Sequence, residues 1–324
     1  MKIVLLLLKH MVFKNTMKKG QISYNWIFAV VAGSVIIFLA IFAVSRFIET
    51  SRYSQELEFS ERMNIILNPL ETGSASAKAT EVFVPKGSEL KLECTADGIG
   101  KEELRFFLKG RPSEELEKGV PVYDKFIFSN NSEKGNKFYL LSKPLEIGFR
   151  VANLIYFTPQ KFCFVNAPKE IEDEITRLNL ENIEFARYKK DCNNTIVCFS
   201  NLGKGCEIIV IGDCWDCENI FETGNVEKQG KVVEYAGIPL LYGAIFSSPE
   251  IYNCNIHRLI KRANMLSLIY LRKAQILDSR GCGTGPAVQE LSNLVGLTSG
   301  KKFNLKLIYE EGKKMIGGGE CYVY

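Results

Sequence analysis

Histidine is nearly absent from this sequence: His10 and His257 are the only two in 324 residues. A histidine-based hydrolase triad would have to use His257, which sits beside Ile256 within a long apolar-periodic segment and reads as structural. Acidic residues are missing from residues 1–25, which carry Lys2, Lys9, Lys14, Lys18 and Lys19. Setting those five aside leaves 41 − 5 = 36 basic against 37 acidic residues, so the remainder is near neutral. That balance excludes a global electrostatic case for nucleic acid as a partner. Charge of either sign is missing from Trp26 to Val44, and cysteine is missing before Cys94. Glycine and proline are both missing from Ser45 to Asn68.

What is present bounds the class. A composition that is 46% apolar and 24% charged supports a packed core and argues against global disorder. The length allows one large domain or two small ones beside a membrane segment. The uncharged run of 19 residues, 26–44, would span roughly 28 Å as a helix, close to the ~30 Å hydrocarbon core. It exceeds a secretory h-region and leads into "SRFIETSRYSQ", which has no A-x-A cleavage site. The expectation is a retained transmembrane helix in contact with the lipid bilayer. The lysines before it place the N-terminus in the cytoplasm and residues 45–324 outside, with Trp26 as an interfacial anchor. "MKKG" beginning at Met17 has the form of a compact basic head, so Met17 is the expected translation start.

The stretch "KKGQIS" ahead of this apolar run resembles the class III signal of archaeal type IV pilin-like proteins. The resemblance covers about 28 residues and implies cleavage between Gly20 and Gln21, with the apolar helix serving as an assembly shaft among other envelope or filament subunits. Asn25 stands where that family has Glu. The wider layout resembles uncharacterised archaeal single-pass membrane proteins, a resemblance that implies no activity.

Beyond the membrane segment the chain reads as α+β. The expected order is a basic head (1–25), a transmembrane helix (26–44), a helical stalk (45–70), a small polar linker (71–80), a β-rich region (81–152) and an α/β and helical region (153–324). Period-two alternation of Leu90, Leu92 and Cys94 with Lys91 and Glu93, and again of Leu104, Phe106 and Leu108, predicts half-buried strands. "KFIFSNNSEKGNKFYLL" predicts a hairpin turning at Gly and Asn. "KFCFVNAPKEIEDEITRLNLENIEFAR" predicts strand, acidic-headed helix and strand. "CEIIVIGD" predicts a central strand covered on both faces. Ile256, Leu259, Ile260, Ala263, Leu266, Tyr270, Ala274 and Leu277 recur at helical spacing, with Arg258, Lys261, Arg262, Arg272 and Lys273 expected on a solvated face. A helix ended by Gly281 and Gly283 is followed by a second helix over "GPAVQELSNLVGL", giving a C-terminal helical hairpin. "FNLKLIYEE" predicts a final strand. "GCGTG" follows a helix and lacks the Lys-Ser/Thr of a phosphate loop, so it reads as a cap and turn.

Ten cysteines, Cys94, Cys163, Cys192, Cys198, Cys206, Cys214, Cys217, Cys254, Cys282 and Cys321, all fall on the side expected to be outside. An even count there predicts disulfide staples. Cys254 and Cys282 bracket the long helix by roughly 40 Å and cannot pair with each other. The sequons at Asn130 and Asn193 are glycosylation candidates. Five of the cysteines crowd into 192–217, and three readings fit them. One is a stapled, loop-rich segment. A second is a zinc site, with Cys214 and Cys217 as one ligand pair and Cys192, Cys198 or Cys206 completing four. The third is thiol–disulfide exchange, in which "IIVIGDCWDC" followed by "AGIPLL" resembles the thioredoxin layout. That resemblance implies Cys214 as nucleophile, Cys217 as resolving thiol and Pro239 before a strand. Asp213 and Asp216 would raise rather than lower a thiol pKa. The favoured reading is the first: a structural or interaction protein of the envelope, with no metal and no cofactor. A membrane-anchored oxidoreductase is the alternative.

Overall fold

The computed structural model describes residues 26–48, 67, 77–97, 100–107, 120–122, 124–199, 205–213, 221–300, 302–315 and 323. The expected basic head with Gly20 and Gln21, most of the expected stalk and linker, and Cys214, Cys217 and Cys321 lie outside them.

Helix α1 (Trp26–Ile48) forms a unit separate from the rest of the chain. At 23 residues and with none of its apolar window buried in the protein, it is long and apolar enough to cross a membrane. It runs four residues beyond the expected end at Val44. Its hydroxyls are satisfied within the helix, Ser34 donating to the Val31 carbonyl and Ser45 to that of Phe42, as an apolar solvent demands. Arg46 folds back over the Phe42 ring, the posture of a charge near the end of an apolar span.

The second unit opens with a six-stranded sheet, order β3-β2-β1-β5-β6-β4. Its strands are β1 (Lys78–Thr95), β2 (Lys101–Phe107), β3 (Val120–Val122), β4 (Phe126–Phe128), β5 (Ser132–Ile147) and β6 (Phe149–Thr158). The predicted alternation holds as far as Phe106, Leu108 lying outside the described residues. Leu90, Leu92, Leu104 and Phe106 are buried, while Glu89, Lys91 and Glu93 face outward or lie half-covered. The predicted hairpin does not form. β4 pairs in parallel with β6, and Gly135 lies inside β5 opposite Ser88. Glycine is needed at 135 for close approach rather than for a turn: a Cβ there would sit 2.7 Å from Pro159 Cβ. The tight turn comes later, at Gly148 with φ 73°, where Ile147 pairs with Phe149. The two faces of this sheet line separate apolar clusters. Leu67, expected on the stalk, is buried in the smaller one.

The second sheet has the order β12-β11-β10-β9-β7-β8. β7 (Phe162–Val165), β8 (Ile183–Ala186), β9 (Thr195–Phe199) and β10 (Ile208–Gly212) run parallel. β11 (Thr223–Lys228) and β12 (Lys231–Ala236) return antiparallel. The predicted strand–helix–strand appears as β7, α2 (Lys169–Arg177) and β8, with Glu170 and Glu172 in the first helical turn. β10 is central, but Ile209 and Ile211 are only half-buried, so one of its faces is incompletely covered.

Four helices complete the unit: α3 (Ile238–Phe246), α4 (Pro249–Asp278), α5 (Gly285–Thr298) and α6 (Leu305–Lys314). α3 is buried at every position from Leu240 to Phe246, as befits a helix that is apolar all round. α4 and α5 form the expected pair, Asn264 of α4 donating to the Val295 carbonyl and the Thr298 hydroxyl. α6 overturns the predicted final strand. Leu305, Ile308 and Gly312 form its buried face, and Asn304 caps it by accepting from the Leu307 amide at 3.0 Å. The Leu-Lys-Leu start fits two periods equally, and the cap decides for the helical one.

Candidate functional site

Three disulfides stand among the described residues. Cys94–Cys254 ties β1 to α4, Cys163–Cys192 ties β7 to the turn before β9, and Cys198–Cys206 closes the connection from β9 to β10. Cys282 is also disulfide-bonded. Cys254 thus reaches across to a strand, consistent with its inability to reach Cys282. The zinc alternative loses its ligands, since Cys192, Cys198 and Cys206 are all oxidised and a metal needs thiolates. The thioredoxin-like layout loses its proline: Pro239 sits in the first turn of helix α3, not before a strand. Asp213, immediately before Cys214, follows β10 and lies 3.5 Å from the Lys306 ammonium.

The two sequons differ in exposure. Asn193 is exposed. Asn130 is half-buried, and its amide donates to the Glu133 carboxylate at 2.6 Å.

The groups with the most displaced proton affinities lie in the interior. Glu102 takes an inward position on β2 and is fully enclosed. Its carboxylate accepts from the Asn255 amide at 2.7 Å and from the Ile127 backbone N–H at 2.9 Å. Asn255 also donates to the Ile127 carbonyl and accepts from Arg258 at 2.8 Å. Arg258 lies 3.5 Å from Glu102 and 4.7 Å over the Phe126 ring. This corrects the expected solvated placement of Arg258: one α4 turn presents Asn255 and Arg258 together to the first sheet. Burial pushes the Glu102 carboxyl up to about 7, against the opposing pull of the Arg258 charge and the hydrogen bonds. No tight backbone could pass here with a side chain: a Cβ on Gly100 would lie 2.6 Å from Arg258 Cγ.

Two further buried groups, one on each sheet, act on each other electrostatically. Glu133 of β5 is pushed up to about 7 by burial. Lys228, closing β11, is pushed down to about 8 by burial while Glu133 and Glu250 oppose the shift. Its ammonium donates to the Ile245 carbonyl of α3 at 3.0 Å. Displaced values of this kind mark catalytic groups when they line a cleft. Here they are walled in. Nearby, a cavity of about 10 Å³ lined by Tyr139, Thr158 and Asn182 leaves room for about one water, and Asn182 Oδ1 has no partner among the described residues.

An open concavity among the described residues lies elsewhere, between α5 and α6. It encloses about 520 Å³ and is lined by residues including Asn293, Gly296, Leu307, Glu310 and Lys314. Glu311, which also lines it, is held by Lys314 at 2.8 Å and Asn293 at 2.9 Å, which keep its carboxyl below the usual range. Glu311, Asn293 and Lys314 are mutually paired, and the exposed Ser292 lines the same groove. Sequence reasoning missed Glu102, Glu133, Lys228 and this groove. The one signal available for Glu102 was an acid on the inward beat of an alternating strand.

Compared with known proteins, the chain matches no protein-family model, no curated protein and no solved structure.

Proposed function

We propose that this chain is a membrane-anchored envelope protein whose α+β unit faces an oxidising exterior and works by interaction rather than catalysis. The observation that carries the reading is the set of disulfides, each C-terminal to a helix long enough to span a membrane. Enclosure of Glu102, Glu133 and Lys228, away from the open groove, supports a structural use of the displaced groups. The lipid bilayer and other envelope or filament subunits are the proposed partners. In this reading the lysine-only head is cytoplasmic and is removed by a cut between Gly20 and Gln21, as in the pilin-like signals it resembles.

Protease added to intact cells tests the orientation. The region beyond residue 48 should be digested without lysis, and its protection until lysis would refute the reading. N-terminal sequencing tests the processing: a mature chain beginning at Gln21 is expected, and one beginning at Met1 or Met17 refutes the cut. The oxidoreductase alternative keeps one supporting observation: β10 carries Asp213 to the carboxyl edge of the parallel strands, where α/β sheets place their sites. Cys217→Ser separates the two readings. No mixed disulfides trapped through Cys214 are expected on non-reducing gels, and discrete reductant-sensitive adducts lost in the double mutant would establish exchange chemistry.

A further inference from the structure

Helix α4 changes character along its length. Its first half is enclosed, with Ile251, Tyr252, Asn255, Ile256, Leu259 and Ile260 all buried. In its second half only Ala263, Ser267 and Ala274 are buried, and they share one side of the helix. The opposite side carries Met265, Leu268, Ile269 and Ile276, which are 40%, 48%, 63% and 42% exposed. Their spacing of i, i+3, i+4 and i+11 lines them into a single apolar stripe. Arg272 completes the stripe at i+7, and Lys261, Lys273 and Arg280 border it, all four exposed. The helix has no carboxylate between Glu250 and Asp278. A core-facing stripe would be covered, and a merely solvated face would not hold four large apolar side chains in register.

We propose that this face of α4 is a docking surface for an anionic lipid bilayer, with the stripe entering the headgroup–acyl boundary and the cations meeting acidic headgroups. Three features select that occupant. The apolar stripe with basic borders is the pattern of a helix lying in a membrane interface. The absence of acid over this stretch complements a negative surface. A second copy of the same face would bring its exposed cations, Lys261, Arg272, Lys273 and Arg280, up against like charges with no carboxylate between Glu250 and Asp278 to offset them. The long stem of Arg272 lets its guanidinium reach the headgroups from within the stripe. The proposal rests on the membrane-anchored reading, which holds the unit close to a bilayer.

The test uses the full chain reconstituted in phosphatidylcholine vesicles with or without phosphatidylglycerol, each doped with an acyl-chain photoactivatable phospholipid, with crosslinked peptides mapped by mass spectrometry. Crosslinks on 26–48 report the anchor, and crosslinks on 265–276 report docking. The expected result is labelling of 265–276 that rises about fivefold or more with the anionic lipid and falls by a similar factor in the Leu268→Glu/Ile269→Glu variant. Labelling of 26–48 should be unchanged in that variant. Docking is overturned if 26–48 is labelled while 265–276 is not, if labelling ignores lipid charge, or if this face forms protein–protein crosslinks instead. Labelled 265–276 with unlabelled 26–48 would sustain docking and refute the anchor, and loss of both would refute both.

Discussion

Arg258 and Glu102 meet 3.5 Å apart with 2% and 0% of their side chains exposed. The pair is chemically asymmetric. A buried carboxylate stranded without its partner can take up a proton, whereas a guanidinium stays charged. Removing the acid is therefore expected to cost more than removing the base. Near pH 8, above the folded value of the Glu102 carboxyl, Glu102→Leu should destabilise by about 3–5 kcal/mol, the range for an uncompensated buried charge, and Arg258→Met by clearly less, because the acid it leaves can protonate. The double variant should recover much of the loss. Urea unfolding of the detergent-solubilised chain, followed by circular dichroism, measures this, and equal costs for the two single variants would refute the asymmetry.

The same group sets a pH dependence. The Glu102 carboxyl has an ordinary value of 4.5 and a folded value of about 7. Between those values the folded chain holds a proton that the unfolded chain has released. The stability this group contributes is full below pH 4.5 and is lost as pH rises through 7. Glu133 behaves in the same direction. Unfolding midpoints should therefore fall from about pH 5 to pH 7, and Glu102→Gln should flatten that slope by an amount on the order of a few kcal/mol. Lys228, with a folded value of about 8 against 10.5, works oppositely at higher pH, since there the unfolded chain holds the extra proton. Superimposable pH profiles for the native chain and Glu102→Gln would contradict the assignment.

The disulfides should rank by the chain length each closes. Cys94–Cys254 spans 160 residues, Cys163–Cys192 spans 29 and Cys198–Cys206 spans 8. On the chain-entropy model, replacing each pair by alanine should cost about 5, 3–4 and 2–3 kcal/mol respectively. The first pair also anchors α4 beside Asn255, whose Oδ1 lies 3.9 Å from Cys94 Sγ. Denaturant midpoints of the three double variants check the ranking, and the 8-residue closure proving the most costly would overturn it.

What the sequence made legible follows from local periodicity. The alternations at Leu90 and Leu104, the acidic first turn of α2 and the apolar period of α4 from Ile256 to Leu277 each repeat within a few residues, so their pattern is local. Arg258 was not legible. A cation on a helix reads as solvated until a partner is known, and Glu102 lies far along the chain, beyond any local pattern. Gly135 misled because a glycine placed for contact with Pro159 looks the same as one placed for a turn. The groove between α5 and α6 is a tertiary product of two helices, one of which reads as a strand until Asn304 is recognised as its cap.

Helix α6 itself supplies the last test. Gly312 meets the turn between β5 and β6 so closely that a Cβ would lie 2.6 Å from Ile147 Cγ2 and 2.8 Å from the Ile147 carbonyl carbon. Backbone cannot yield as a flexible side chain does, so Gly312→Ala should force α6 off the sheet and destabilise by about 1–3 kcal/mol. Gly296 in α5 makes the control. It too is helical, but nothing lies within 4 Å of where its Cβ would stand. There alanine should stabilise by about 0.5–1 kcal/mol, because it lowers the entropy of the unfolded chain and meets no neighbour. Thermal unfolding of the two variants side by side separates packing from propensity. If Gly312→Ala were neutral or stabilising, α6 would not dock on Ile147 as described, and the helical face of Leu305, Ile308 and Gly312 would need another partner.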